Sequence, residues 1–215
     1  MKNKKRHIPK IVFCFFMLLM LSVLLVVPSF ASDSWGNLFR NWGEKLNSYS
    51  QADSGEDTLY AVGRSASVSE KDVRQAEDFY VLQGFDKQEA RRMAVDYMEK
   101  REALYEEAVK NGYDVTDQEV YDYLEELKAI IASADNREDA YNVMAAFESE
   151  DAYWDYQFSV YRKNLPIQKY VKHLEEQFYS THSRSNGEAD SWEAYFESYK
   201  EQLKEAQDFK VTEKQ

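Results

Sequence analysis

The 215-residue chain carries 39 Asp plus Glu against 27 Lys plus Arg, a formal charge of −12 at pH 7, and a single cysteine, Cys14. So acidic a balance repels phosphate backbones and anionic lipid heads, which excludes nucleic acid as a natural partner and favours basic or unfolded polypeptides. Disulfides, thiolate zinc sites and a Cys nucleophile are excluded from everything after Cys14.

Lys2, Lys4, Lys5, Arg6 and Lys10 precede an apolar run from Ile11 to Val27, interrupted only by Ser22, the pattern of an export signal. Pro28 ends the run, and Ser29 and Ala31 stand where a signal peptidase reads small residues, so cleavage before Ser32 is expected. The run also approaches the ~18 residues of a membrane span, which leaves an uncleaved anchor as the alternative. Either outcome places the rest outside the cytoplasm, secreted or attached to the outer face of the cytoplasmic membrane. Cys14 lies too early in the run for a lipid anchor. Beyond residue 31 the five basic residues are gone, leaving 22 basic against 39 acidic side chains, a balance of −17.

Residues 32–56 read as a leader. Trp35, Leu38, Phe39, Trp42 and Leu46 recur at helical spacing and predict a short amphipathic helix, docked on the core or lying on a membrane. A Ser-, Asp- and Gly-rich linker follows. Residues 57–211 then read as one mainly helical domain with a four-residue tail, 212–215. Leu59 to Val62 predicts a small strand, Gly63 a turn, and Ser69 the N-cap of a helix whose buried face is Val73, Ala76, Phe79 and Tyr80. Gly84 ends that helix, and Asp86 with Glu89 predicts a capping box opening a long one, with Ala90, Met93, Ala94, Tyr97, Met98, Leu104, Ala108 and Val109 along one side.

Asn111 and Gly112 supply a left-handed helix end, and Thr116 with Glu119 a second capping box, so two helices are expected to meet at a sharp corner. Val120, Leu124, Leu127, Ile130 and Ile131 mark the next helix, ending near Ser133, and Ala140 to Phe147 a shorter one. A second long helix spans about 151–178, interrupted and kinked at Pro166. After a polar loop, Trp192, Tyr195, Phe196, Tyr199 and Leu203 define a last helix. Pairing "LYAV" near the start of the domain with "FKV" near its end would satisfy both backbones.

Catalytic patterns are sparse. His173 reads as a solvated helix-face residue and His182 as a loop residue, and neither has a second metal ligand at useful spacing. The acidic pairs fall opposite the apolar stripes, and no phosphate loop or activated serine is present. No catalytic residue, metal or cofactor is therefore expected. The aromatic content stands out, with 16 Tyr, 12 Phe, 4 Trp and 6 Met. Rings with polar tips, and adaptable methionines, suit a surface that grips varied chains.

The order of these elements resembles the SurA and PrsA type of extracytoplasmic chaperone. The resemblance rests on "LYAVGRSASVS", "EALYEEAVKNGYDVTDQEV" and "YWDYQFSVYRKNLPIQKYV", in which Gly63, Val68, Ser69, Ala108, Gly112, Val115, Thr116, Asp117, Glu119 and Val120 match the family's turn and corner patterns. It covers about residues 57–180, and "WEAYFESYKEQLKEAQDFKV" looks like the family's returning helix and strand. The interval from Phe178 to Ser191 is far too short for the parvulin isomerase domain of full members. The resemblance thus implies a SurA N-terminal-like helical fold that binds unfolded or extended polypeptide without isomerase activity. Candidate contacts in an aromatic groove are Tyr80, Met93, Tyr97, Met144, Phe147, Trp154, Phe158 and Tyr161. A dedicated assembly factor holding one envelope protein is the alternative, and membrane contact through the signal or the Trp35–Leu46 helix is separable from both.

Overall fold

The computed structural model describes residues 32–51, 58–181 and 191–212. The export signal, residues 52–57 of the linker, His182 with its loop, and the last three residues of the tail lie outside the described residues; residues 47–51, expected as the start of the linker, continue the first helix instead. Among those described, seven helices accompany a small three-stranded antiparallel sheet, so the chain is mainly helical. Helix α1 spans Ser32–Gln51, strand β1 Leu59–Val62 and strand β2 Ser67–Ser69. Helices α2 (Glu70–Leu82), α3 (Lys87–Lys110), α4 (Asp117–Ser133), α5 (Arg137–Met144), α6 (Glu150–Thr181) and α7 (Trp192–Gln207) follow, and β3 (Lys210–Val211) closes the chain.

Local signals set most boundaries. The Ser69 side chain accepts from the Asp72 N–H, and Gly84 takes a φ of 97° beyond α2. Asp86 caps α3 through the Gln88 and Glu89 N–H groups, but Glu89 does not reach back to complete the expected box. At the corner Gly112 alone adopts the left-handed conformation, φ 83°, while Asn111 stays at φ −86° and bonds the Glu107 carbonyl with its side chain. Thr116 and Glu119 form the full capping box, and Lys169 reaches from α6 to Glu119 at 2.6 Å. These bonds fix the turn between α3 and α4 against α6.

Helix α6 runs unbroken through Pro166, where an interruption is expected from sequence. The ring costs one backbone hydrogen bond, but Leu165, Pro166 and Ile167 are all buried, and packing of that face holds the helix together. His173 is half-buried against the Tyr113 ring at 5.7 Å.

The two ends of the 57–211 unit meet as the sequence suggests. Strand β1 lies centrally, with Ala61 opposite Val68 of β2 on one side and Val211 of β3 on the other. Asp208, at φ 52°, turns α7 into β3. The Gln207 side chain accepts from the Ser65 and Ala66 N–H groups, plugging the β1–β2 turn. Helix α7 buries no residue fully and leans on α3 through ions as well as rings. Lys100 contacts Asp96, Glu197 and Glu201 at 2.8 to 3.0 Å, and Lys204 contacts Asp96 at 2.6 Å.

Helix α1 belongs to the core. Phe39, Trp42 and Leu46 are buried, Trp42 lies 4.8 Å from the Phe79 ring, and Tyr49 donates to Asp78. The side chain of Trp35 lies outside the described set, but these three face helices rather than a bilayer. Gly43 makes the docking possible, because a Cβ there would lie 2.5 Å from the Val143 carbonyl oxygen of α5.

Gly43→Ala is expected to destabilise the protein by about 1–3 kcal/mol through overpacking. Gly36→Ala, whose added carbon would meet only Asn142 at 3.8 Å, should be neutral or stabilise by up to about 1 kcal/mol. Urea unfolding of both variants checks the pair.

The α3–α7 ions predict acid sensitivity. Burial raises the carboxyls of Asp96 and Glu197, but hydrogen bonds from Lys204, Lys100 and Lys200 outweigh it and hold both below their ordinary range. Bonds from Lys204 and Lys100 lower Glu201 likewise. Groups depressed in the folded state contribute fully above their unfolded values and lose that contribution as pH falls through the folded ones. The melting temperature should therefore fall more steeply between about pH 5 and 3 in the native protein than in Lys100→Met.

Candidate functional site

A cavity of about 330 Å³ opens where α1, α2, α3, α5 and α6 converge. Its volume is within the ~300–1,000 Å³ typical of ligand sites. The apolar wall comes from Phe39, Trp42 and Leu46 of α1, Phe79 of α2 and Val143 of α5. These residues project inward because each lies on the buried stripe of its helix.

The polar wall comes from Lys71, Asp72 and Gln75 of α2, Arg101 of α3, and Tyr156, Lys163 and Asn164 of α6. Arg101 donates through Nη1 to Glu102 and through Nη2 to Asn164 Oδ1 at 3.1 Å. Lys163 Nζ donates to the other Glu102 oxygen at 3.0 Å. Glu102, with a side chain only 4% exposed, is thus held by one cation from its own helix and one from α6. Gln75 Nε2 donates to the Tyr156 hydroxyl at 2.9 Å.

Burial opposes the Arg101 charge, but the carboxylates of Glu102 and Asp72 outweigh it and hold the guanidinium protonated. The Tyr97 and Tyr156 hydroxyls, which line the same space, are pushed up chiefly by burial and remain hydrogen-bonding groups at neutral pH. The arrangement is that of an open cleft with an apolar floor and a zwitterionic flank. Among the described residues no group of three or more His, Cys, Asp or Glu is placed to hold a metal ion.

Of the eight candidate contacts, the structure brings Tyr97 and Tyr161 to the cavity. Tyr80, expected in a groove, fills the space between α2 and the sheet, its ring 6.1 Å from Phe85 and its hydroxyl pushed by burial to about 12. Phe147 and Trp154 are likewise core residues, Phe147 edge-on to Tyr153 at 5.2 Å and Trp154 donating to Glu150. Met93 and Met144 pack half-buried against two different clusters, and Phe158 stacks on Tyr121 at 4.5 Å away from the cavity. These rings lie on the inward stripes of their helices, where burying area outweighs display.

Sequence reasoning passed over Phe39, Trp42, Lys71, Gln75, Arg101 and Asn164 as site residues. One signal for Arg101 was present: the apolar stripe of α3 has a gap between Met98 and Leu104, and the charged pair Arg101–Glu102 fills it.

No family model, no curated protein and no solved structure matches the chain.

The polar flank yields a stability prediction. Glu102→Gln leaves Arg101 and Lys163 without their shared carboxylate in a largely buried place. The expected loss is about 3 kcal/mol, in the range for breaking one side of a buried pair. A shift of the urea midpoint at unchanged slope checks it.

Proposed function

We propose that the protein is an extracytoplasmic polypeptide-binding domain of the SurA and PrsA type, without an isomerase module, which holds extended chain segments at the five-helix cavity. The observation that carries the reading is the cavity itself, where aromatic and aliphatic walls meet fixed hydrogen-bonding groups in one open cleft. An extended segment needs both, apolar side chains to bury and backbone groups to satisfy. The return of α7 and β3 to the first hairpin supports the reading further, because the resemblance implies that closure. The acidic exterior adds solubility and favours clients with basic residues.

Purified protein at near-stoichiometric amounts should suppress aggregation of several unrelated unfolded clients. Ser159→Trp, at an exposed position on the cavity lining, should weaken that protection several-fold while shifting stability by no more than about 0.5 kcal/mol. Light scattering during client dilution measures the first effect and urea unfolding the second. Protection of no client would contradict general chaperoning and leave the dedicated assembly factor.

A further inference from the structure

The cavity lining holds a polar group that the fold itself does not use. Gln157 of α6 lines the cavity, is only 5% exposed, and its carboxamide makes no hydrogen bond among the described residues. Polar side chains around it are engaged: Gln75 with Tyr156, Asn164 with Arg101, and Lys163 with Glu102. One turn earlier on the same helix, the Tyr153 hydroxyl is sealed within the protein and also lacks a partner. The Gln157 carboxamide is not sealed in this way, so it faces the cavity. A buried amide without a partner costs stability, and packing alone would be served better by Leu or Met.

Charge does not select the occupant. Lys71, Arg101 and Lys163 are matched by Asp72, Asp139 and Glu102, so the flank favours neither sign. What Gln157 offers is a carbonyl acceptor beside N–H donors. An extended residue presents its own N–H and C=O on one side, the pair that antiparallel strands exchange, and one carboxamide can meet both. The side chain of that residue is then left free for the apolar wall.

Size sets how much enters. A cavity of about 330 Å³ is roughly twice the ~150 Å³ that takes up a benzene molecule. It suits one ring with its attached peptide unit rather than a run of side chains.

We propose that the cavity holds one uncharged apolar residue of a client chain, its side chain against Phe39, Trp42, Phe79 and Val143 and its own N–H and C=O on the Gln157 carboxamide. The inference rests on the polypeptide-binding reading and names the part of the client that is held. The backbone pair is common to all residues except proline, so the apolar wall alone sets the preference. Extended segments in which single apolar residues stand among polar ones are the substrate class.

The test uses the peptide Ser-Gly-Ser-Phe-Ser-Gly-Ser, amidated at its C-terminus and carrying an N-terminal fluorophore, titrated with the purified protein. Ala in place of its Phe should weaken binding by about tenfold or more. Phenyllactic acid in place of its Phe, which exchanges the N–H for an ester oxygen, should weaken binding by about fivefold. Gln157→Leu should erase the second difference and keep the first, with a melting temperature unchanged or higher because no hydrogen bond is lost. Equal binding of the Phe and phenyllactic peptides, or a Gln157→Leu protein that melts lower and still tells them apart, would overturn the role of Gln157 and leave the polypeptide-binding reading intact. Equal binding of the Phe and Ala peptides would overturn the inference in the same way. Indole displacing the Phe peptide at lower concentration than an unlabelled copy of the peptide would overturn it in favour of a small apolar ligand. Failure of the Phe peptide to bind would overturn the inference, and the same failure joined to no protection of unfolded clients would overturn both.

Discussion

Arg101, Glu102 and Lys163 tie the two longest helices together at the point where the core is least apolar. A buried ion without its partner costs several kcal/mol, so α3 and α6 can meet only in the register that pairs Glu102 with Lys163 and Arg101 with Asn164. Sliding either helix by one residue would turn these groups away from one another and into hydrocarbon. The register thus set spaces α3 from α6 around polar side chains, and α1, α2 and α5 close the space with apolar ones. The cavity follows from placing an ionic knot inside an otherwise aromatic bundle.

Two further devices serve that arrangement. Gly43 lets α1 lie against the backbone of α5, which brings Phe39, Trp42 and Leu46 to the cavity wall. At the other end, α7 covers the C-terminal halves of α3 and α6 with half-buried rings and a set of lysine and carboxylate contacts, then pairs β3 with β1. An ion-rich, incompletely buried helix is held less firmly than a core helix, and its grip varies with pH and salt. The cavity and the closing helix therefore lie on different faces of α3, and the closing helix is held by half-buried rings together with ion pairs.

Legibility in the sequence followed the range of the forces involved. Ser69, Asp86 and Thr116 cap helices through neighbours two or three residues away, so their side chains set the starts of α2, α3 and α4. The pairing of β1 with β3 was readable because two short apolar stretches at the ends of a domain have few other places to satisfy their backbones. The direction of an aromatic side chain depends on which helix arrives opposite it. Tyr80, Phe147 and Trp154 therefore read as display residues in the sequence and are core in the structure, while Phe39 and Trp42, which the sequence places in a leader, wall the cavity. Pro166 looked like a break because a local rule forbids it, and burial of the whole face around it prevailed.

On the proposed function, client chains are held at the five-helix cavity. Site-specific photo-crosslinking tests it most directly, with a photoreactive amino acid placed once at Val160 on the cavity lining and once at exposed Ser198 on α7, each mixed with the same unfolded client. Strong crosslinking from position 160 and little from position 198 is the predicted result. Crosslinking of equal yield from both positions, or only from 198, would contradict the claim and move the binding surface to the closing helix.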